Sequence, residues 1–132
     1  FALLIASFIR SHGYSVMVID ADAQGWDHEY TVAKVLEAQP FLGAIIVQGA
    51  NPSASSTPKM TAASELLRTL KGKAHIKTIL GGIHPSALPE RTLREEETDF
   101  VCQGEGFYTI LELLDRLKEG TPLRGIGGLW YW

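Results

Sequence analysis

Apolar and polar positions along the chain fall into alternating helix-like and strand-like stretches. Ala2, Ile5, Phe8 and Ile9 recur at helical spacing, and Gly13 can close that helix in a left-handed cap. "YSVMVID" is β-branched and almost wholly apolar, as a strand buried on both faces should be. "QGWDHEYTVAKVLEAQP" predicts a helix with Asp27 as N-cap, Val32, Val35 and Leu36 facing inward, and Pro40 just past its end. "GAIIVQG" predicts a second buried strand, and "NPSASST" a polar loop. Thr57 then caps a helix that begins at Pro58 and carries Met60, Ala63, Leu67 and Leu70 on one face, with Gly72 after it. "IKTILGG" predicts a third strand, "PERTLREEE" a short charged helix, and "DFVCQG" a fourth strand. The cleanest helix is "GFYTILELLDRLKEG", whose stripe is Phe107, Ile110, Leu111, Leu114 and Leu117 and whose end is marked by Gly120 and Pro122. "GLWYW" predicts a last strand.

Strand and helix joined by short links imply right-handed βαβ units, so the fold class is α/β, a doubly wound, mostly parallel sheet with helices on both faces. The interior strands should be "VMVID", "AIIVQ", "TILGG" and "FVCQG". A helix at the very start has no strand before it, whereas a sheet of this kind normally begins with a central strand. The first strand is therefore expected to be missing, and the open sheet edge it leaves invites dimerisation or an upstream segment. No repeat, linker or low-complexity tract divides the chain, so residues 1–132 are read as one domain. It opens on Phe1 without methionine and closes inside a strand-like run, so it is read as a piece of a longer protein.

A chain of 132 residues can bury roughly two-thirds of its unfolded surface, enough to fold without a disulfide or metal. A net charge of −3 with no basic block argues against a nucleic-acid partner. No apolar stretch approaches the ~18 residues of a membrane span, and "FALLIASFIRSHG" lacks the basic start of a signal peptide, leaving the cytoplasm as the default compartment. The single cysteine, Cys102, lies in an apolar run, where a buried inert thiol is favoured over a reactive one.

Ligands of open parallel sheets bind beyond the carboxyl ends of the strands. Here those ends read "DADAQG", "QGANPSASST", "GGIHPS" and "QGEGF", all carrying glycine or small polar residues. Gly81 and Gly82 remove side chains where the backbone leaves the sheet, so that a broad ligand can approach with Ile83 and His84 beside it. The alternative is that Gly82 only turns the chain and His84 only bonds the next loop. Gly104, Glu105 and Gly106 open a helix whose amides can hold a polar or anionic group, although a lone GxG is weak evidence. Asn51, Ser53, Ser55 and Ser56 supply polar groups to a ligand, or solvate a loop. For Asp20 and Asp22 the reading as turn-forming acids is at least as good. No phosphate-binding GxxxxGK[ST] and no GxSxG elbow occurs, and Gln48 stands where a receiver domain needs aspartate. No catalytic residue and no metal ligand is assigned; the residues read as a binding module.

Taken together, "GGIHPSALPE", then "DFVCQGEG" and an amphipathic helix, resemble the cobalamin-binding domain that precedes the catalytic barrel in cobalamin-dependent radical S-adenosylmethionine enzymes. "FALLIASFIRSHGYSVMVIDAD" is similar to that family's first helix and second strand, and "GIGGLWYW" to the strand leading to the next domain. The resemblance implies a Rossmann-like or flavodoxin-like fold that binds cobalamin across the carboxyl edge, in the service of a radical enzyme, with methyl transfer as one activity it would serve. It also implies S-adenosylmethionine and a 4Fe-4S cluster in a downstream radical domain, whose CxxxCxxC motif this chain lacks. Phe107 stands where the family often has a second glutamate after "GEG", and the DxHxxG motif that brings a histidine to cobalt in other cobalamin domains is absent. His84 is accordingly expected to touch ring amides rather than the metal. The alternative function is a Rossmann-like regulatory or interaction domain with an empty pocket or another small ligand.

Overall fold

In the computed structural model, which describes residues 1–48 and 59–132, four strands form one sheet in the order β1-β2-β3-β4. The strands are β1 (Leu42–Val47), β2 (Lys77–Gly82), β3 (Phe100–Cys102) and β4 (Leu129–Trp130). The first three are mutually parallel, and β4 runs antiparallel to β3, with Cys102 opposite Leu129. The helices are α1 (Ala2–Ser11), α2 (Ala21–Gln24), α3 (His28–Ala38), α4 (Met60–Lys73), α5 (Ile83–Ala87), α6 (Pro89–Glu95) and α7 (Phe107–Glu119).

Strand periodicity divides the core between the two faces of the sheet. Ile79 of β2, with Phe100 and Cys102 of β3, packs under Ile5 and Ile9 of α1 and Ile110, Leu113 and Leu114 of α7. Leu80, one residue further along β2, points the other way, into a cluster with Val47 and with Met60, Ala63 and Leu67 of α4. Thus α1 and α7 cover one face, and α4, with α3 packed against it, covers the other. The chain has the expected mostly parallel, doubly wound α/β architecture.

The caps follow local chemistry. Asp27 accepts from the Tyr30 amide at 2.8 Å at the start of α3, as its position before an apolar run predicts. Asp20 accepts from the Ala23 amide at 3.0 Å and caps α2, while Asp22 makes an exposed ion pair with Lys59. Both acids thus have local structural work.

Four expectations are corrected. Residues 14–20, read as an interior strand, belong to no strand. Met17 and Val18 are 56% and 44% exposed, and among the described residues no backbone-to-backbone hydrogen bond engages residues 14–19. β-propensity marks a segment suited to a sheet but cannot supply the neighbour that satisfies its amides. "AIIVQ", also expected inside the sheet, forms the edge strand β1 among the described residues, and most of it is only half-buried. α4 continues through Gly72 to Lys73, because one glycine costs a helix only about 1 kcal/mol and the packed Leu67 and Leu70 outweigh it. "IHPSA", for which the sequence predicts no helix, is the short helix α5. The expected cap Thr57 and first helical residue Pro58 lie outside the described residues.

At the amino edge of the sheet, Asp99 joins three elements. Its carboxylate accepts from Lys71 Nζ at 2.5 Å and from the Thr78 backbone amide at 2.8 Å, with Lys77 Nζ at 3.4 Å. Burial alone would raise its pKa, but the Lys71 hydrogen bond, the Thr78 amide and the two lysine charges together hold it below the usual carboxylate range. A pKa depressed on folding stabilises the fold above the unfolded-state value of about 4, and that stability is lost as pH falls through it toward the folded value. The urea midpoint should therefore drop between pH 6 and pH 3 by more in the native chain than in Asp99→Asn. Equal losses would exclude Asp99 as a contributor to acid sensitivity.

Candidate functional site

The parallel strands β1, β2 and β3 present their carboxyl ends along one edge, at Val47, Gly82 and Cys102. Of the residues assigned there from sequence, Gly81, Gly82, Ile83, His84, Gly104, Glu105 and Gly106 are described and lie along that edge. Asn51, Ser53, Ser55 and Ser56 lie outside the described residues.

The two glycines of β2 differ. Gly82 pairs with Val47 and has φ of +126°, and a Cβ on it would come within 2.1 Å of the Val47 carbonyl oxygen. Its glycine is required by the backbone of its own sheet. Gly81 has no such constraint: a Cβ there would sit 3.4 Å from Ile46 Cδ1 and 3.7 Å from Cys102 Cβ, in ordinary contact. The turn alternative therefore accounts for Gly82, and the ligand-approach argument passes to Gly81.

α5 starts directly at Ile83, so the chain rises from the sheet as a helical turn. Ile83 is 57% exposed, an aliphatic side chain held at the edge without being needed by the core. His84 follows, half-buried, its carbonyl accepting from the Leu88 amide. The next loop is tied to this one by Ser86, whose hydroxyl accepts from the Gly104 amide at 2.5 Å. Gly104 and Gly106 both have positive φ, +96° and +89°, and Gly106 caps α7 with its would-be Cβ only 3.2 Å from Cys102 Sγ. Around Gly104 there is open space on the side a Cβ would take. Glu105 is exposed.

Below the edge runs a narrow apolar slot of about 10 Å³, lined by Phe1, Ile5, Ile46, Ile79, Gly81 and Cys102 among others. That is space for about one water. The Cys102 thiol is 2% exposed; burial pushes its pKa up, and a hydrogen bond with Thr109 only partly offsets this. It is held as the thiol, in keeping with the inert reading.

Several contributors were not legible in advance. Ser86 joins two loops through a side chain that no periodicity marks. The turn before β4 braces the 103–106 loop: the Gln103 amide donates to the Gly128 carbonyl at 2.8 Å, Thr109 Oγ1 to the Gly127 carbonyl at 2.6 Å, and Trp130 Nε1 to Gln103 Oε1 at 3.0 Å. The paired glycines of "GIGGLW" are the only local sign of that close approach. Among the described residues, no group of three or more His, Cys, Asp or Glu side chains is placed to hold a metal ion. None of the described helices is long and apolar enough to cross a membrane.

The family model described as the B12 binding domain matches residues 2–114. An uncharacterized methyltransferase of Pyrococcus horikoshii is 43% identical over 58 residues, which are 43% of this chain and 13% of that protein. Two solved structures of the radical S-adenosylmethionine methyltransferase TsrM from Kitasatospora setae superpose with TM-scores of 0.83 and 0.82 over 97% of this chain, at 19% identity. One of them carries tryptophan substrate and an S-adenosylmethionine analogue, the other cobalamin and a [4Fe-4S] cluster. The chain spans about a quarter of TsrM, 24% and 23% in the two structures.

Proposed function

This chain belongs to the B12-binding domain family, and from that premise we propose that it holds cobalamin across the carboxyl edge of its sheet as a non-catalytic module of a larger enzyme. The observation that carries the proposal is the edge itself. Among the described residues, Gly81, Gly82, Gly104 and Gly106 bring no side chain to it, and Ile83 stands exposed beside them, outside both core clusters. A broad, nearly flat corrin ring needs such a platform, and an exposed aliphatic group gains by being covered. The exposed 103–105 loop at the start of α7, together with the Ser/Thr-rich residues 51–57, suits the polar nucleotide tail and its phosphodiester.

The residues present thus fit the group. Gly81, Gly82, Ile83 and His84 would lie under the ring and Gly104–Gly106 beside the tail, with His84 on the ring's amides. When bound, cobalamin supplies a carrier for methyl transfer. Ser86 keeps the two loops in register, and the buried Cys102 thiol stays out of the chemistry.

Residues 1–132 form one domain in this reading. The parent is a radical S-adenosylmethionine enzyme, with its 4Fe-4S cluster and S-adenosylmethionine in a downstream domain. A methyltransferase is favoured by the Pyrococcus relative and by TsrM, and the edge of β1 that is open among the described residues permits a dimer. One observation favours the second reading, an interaction domain with an empty pocket: the slot beneath the edge is nearly closed.

Titration with hydroxocobalamin followed by its visible spectrum separates the two. Saturable binding with Kd at or below about 10 μM, roughly −7 kcal/mol, is expected. No binding at several times that concentration would leave the interaction domain as the better reading. His84→Ala should bind with an unchanged cobalt spectrum; a shifted spectrum would place the imidazole on the metal instead.

A further inference from the structure

We propose that the side-chain amide of Gln103, aimed by Trp130, donates a hydrogen bond to the phosphodiester of cobalamin's nucleotide tail, and so makes the edge selective for a corrinoid that carries that tail. The inference rests on the reading of this edge as the cobalamin site and gives it one further contact residue and one positioning residue.

Gln103 directly follows β3, and its backbone is held from both sides. Its own amide donates to the Gly128 carbonyl at 2.8 Å, and the next amide, that of Gly104, donates to Ser86 Oγ at 2.5 Å. Gly128 comes so close that a Cβ on it would lie 2.5 Å from the Gln103 carbonyl oxygen. The side chain is held as well. Val101 pairs with Trp130 across β3 and β4, and residues two apart along an extended chain share a face, so Gln103 and Trp130 are diagonal neighbours. Trp130 Nε1 donates to Gln103 Oε1 at 3.0 Å. Yet Gln103 is exposed, outside both core clusters. A free glutamine on the surface keeps its rotamers, and fixing them costs entropy. Fixing them in advance removes that cost from any ligand that uses the amide.

The indole also decides which way the amide faces. An indole N–H only donates, so the atom that meets it is the acceptor Oε1. Nε2, the donor end, is turned away from Trp130, and among the described residues no acceptor engages it. Beside it lies Gly104, with φ of +96° and open space on the side a Cβ would take, so a bulky group can reach the loop. Residues 100–107 contain no lysine or arginine, so what this loop offers an anion is N–H groups. Cobalamin carries amide carbonyls around its ring and one phosphodiester in its tail. A hydrogen bond to an ionised oxygen is the stronger of the two, and the tail is the part placed at residues 103–106. Glu105, the acid of the loop, is exposed to water and salt, which screen its charge.

The test titrates the intact protein, native and variant, with hydroxocobalamin and with aquocobinamide, the corrinoid that lacks the nucleotide and its phosphodiester. Gln103→Glu keeps the shape of the side chain and an oxygen for Trp130, but replaces the donor with an anion. It should weaken hydroxocobalamin binding by about thirtyfold or more, and Gln103→Ala by about tenfold, while both leave cobinamide binding within about twofold of native. Trp130→Phe keeps an aromatic ring but releases the amide, and should cost about threefold, again for hydroxocobalamin alone. Retained cobinamide binding shows that the edge is still folded in each variant. Native-like hydroxocobalamin binding by Gln103→Glu would overturn the contact and leave Gln103 only as an acceptor for the indole. An equal loss of both corrinoids would place the contact on the ring and overturn the selectivity. Native-like binding by Trp130→Phe would remove Trp130 as the positioning residue. Failure of the native protein to bind either corrinoid would overturn the cobalamin reading, and this contact with it.

Discussion

Gly82→Ala should lower stability by about 2–5 kcal/mol, a large share of the 5–15 kcal/mol that holds a domain of this size together. Two costs combine. At φ of +126° an alanine is strained, and its methyl would meet the Val47 carbonyl oxygen at 2.1 Å, so either the last β1–β2 pair opens or β1 moves away. Neither relief is cheap, because Val47 is 5% exposed and packed with Met60, Leu67 and Leu80. Gly81→Ala is the internal control. Its methyl enters at ordinary contact distance with no positive φ, so its cost should stay within about 1 kcal/mol. Thermal or urea unfolding of the two variants side by side decides the matter. Equal midpoints would show that β1 yields freely at its carboxyl end, contrary to the packing described here.

Ile83→Asp should weaken cobalamin binding by about tenfold or more while leaving the free energy of unfolding within about 0.5 kcal/mol of the native chain's. Covering an exposed isoleucine is worth about 1.5–3 kcal/mol when complete, and Ile83 begins 57% exposed. An aspartate there both forfeits that gain and places a carboxylate under an apolar ring face. Ile83→Ala should show the smaller part of the effect. Stability is spared because Ile83 lies outside both core clusters. If Ile83→Asp bound cobalamin as tightly as the native chain, the ring would have to sit elsewhere along the edge, and the role given to Gly81–His84 would fall.

The contrast between the paired glycines illustrates how far residues alone carry such a reading. Both appear in sequence as a permissive stretch at a strand end, and the ligand-platform and turn explanations compete for the pair as a unit. Only the register, Val47 opposite Gly82 and Ile46 opposite Gly81, divides them. Adjacent strand residues point to opposite faces, so one glycine answers to a neighbouring carbonyl and the other to a slot. Ser86 was missed for a related reason. Its partner, the Gly104 amide, is 18 residues away, and no local pattern encodes a bond between two loops.

Sequence by itself determined the elements whose signals are local. The apolar stripe of α7 and its glycine end, the Asp27 cap, the strands 77–82 and 100–102 and the clustering of glycines at their carboxyl ends all arise from periodicity, capping and turn chemistry within a few residues. From these the α/β class and the candidate edge follow. Tertiary structure decided whatever depends on a neighbour: that residues 14–20 stand outside the sheet despite ideal strand composition, that β1 is an edge among the described residues, and that Gly72 is carried through α4 by the packing of Leu67 and Leu70. The physical reason is the same in each case. A helix satisfies its own backbone hydrogen bonds, whereas a strand needs its partners from elsewhere, and burial depends on what arrives to cover a surface.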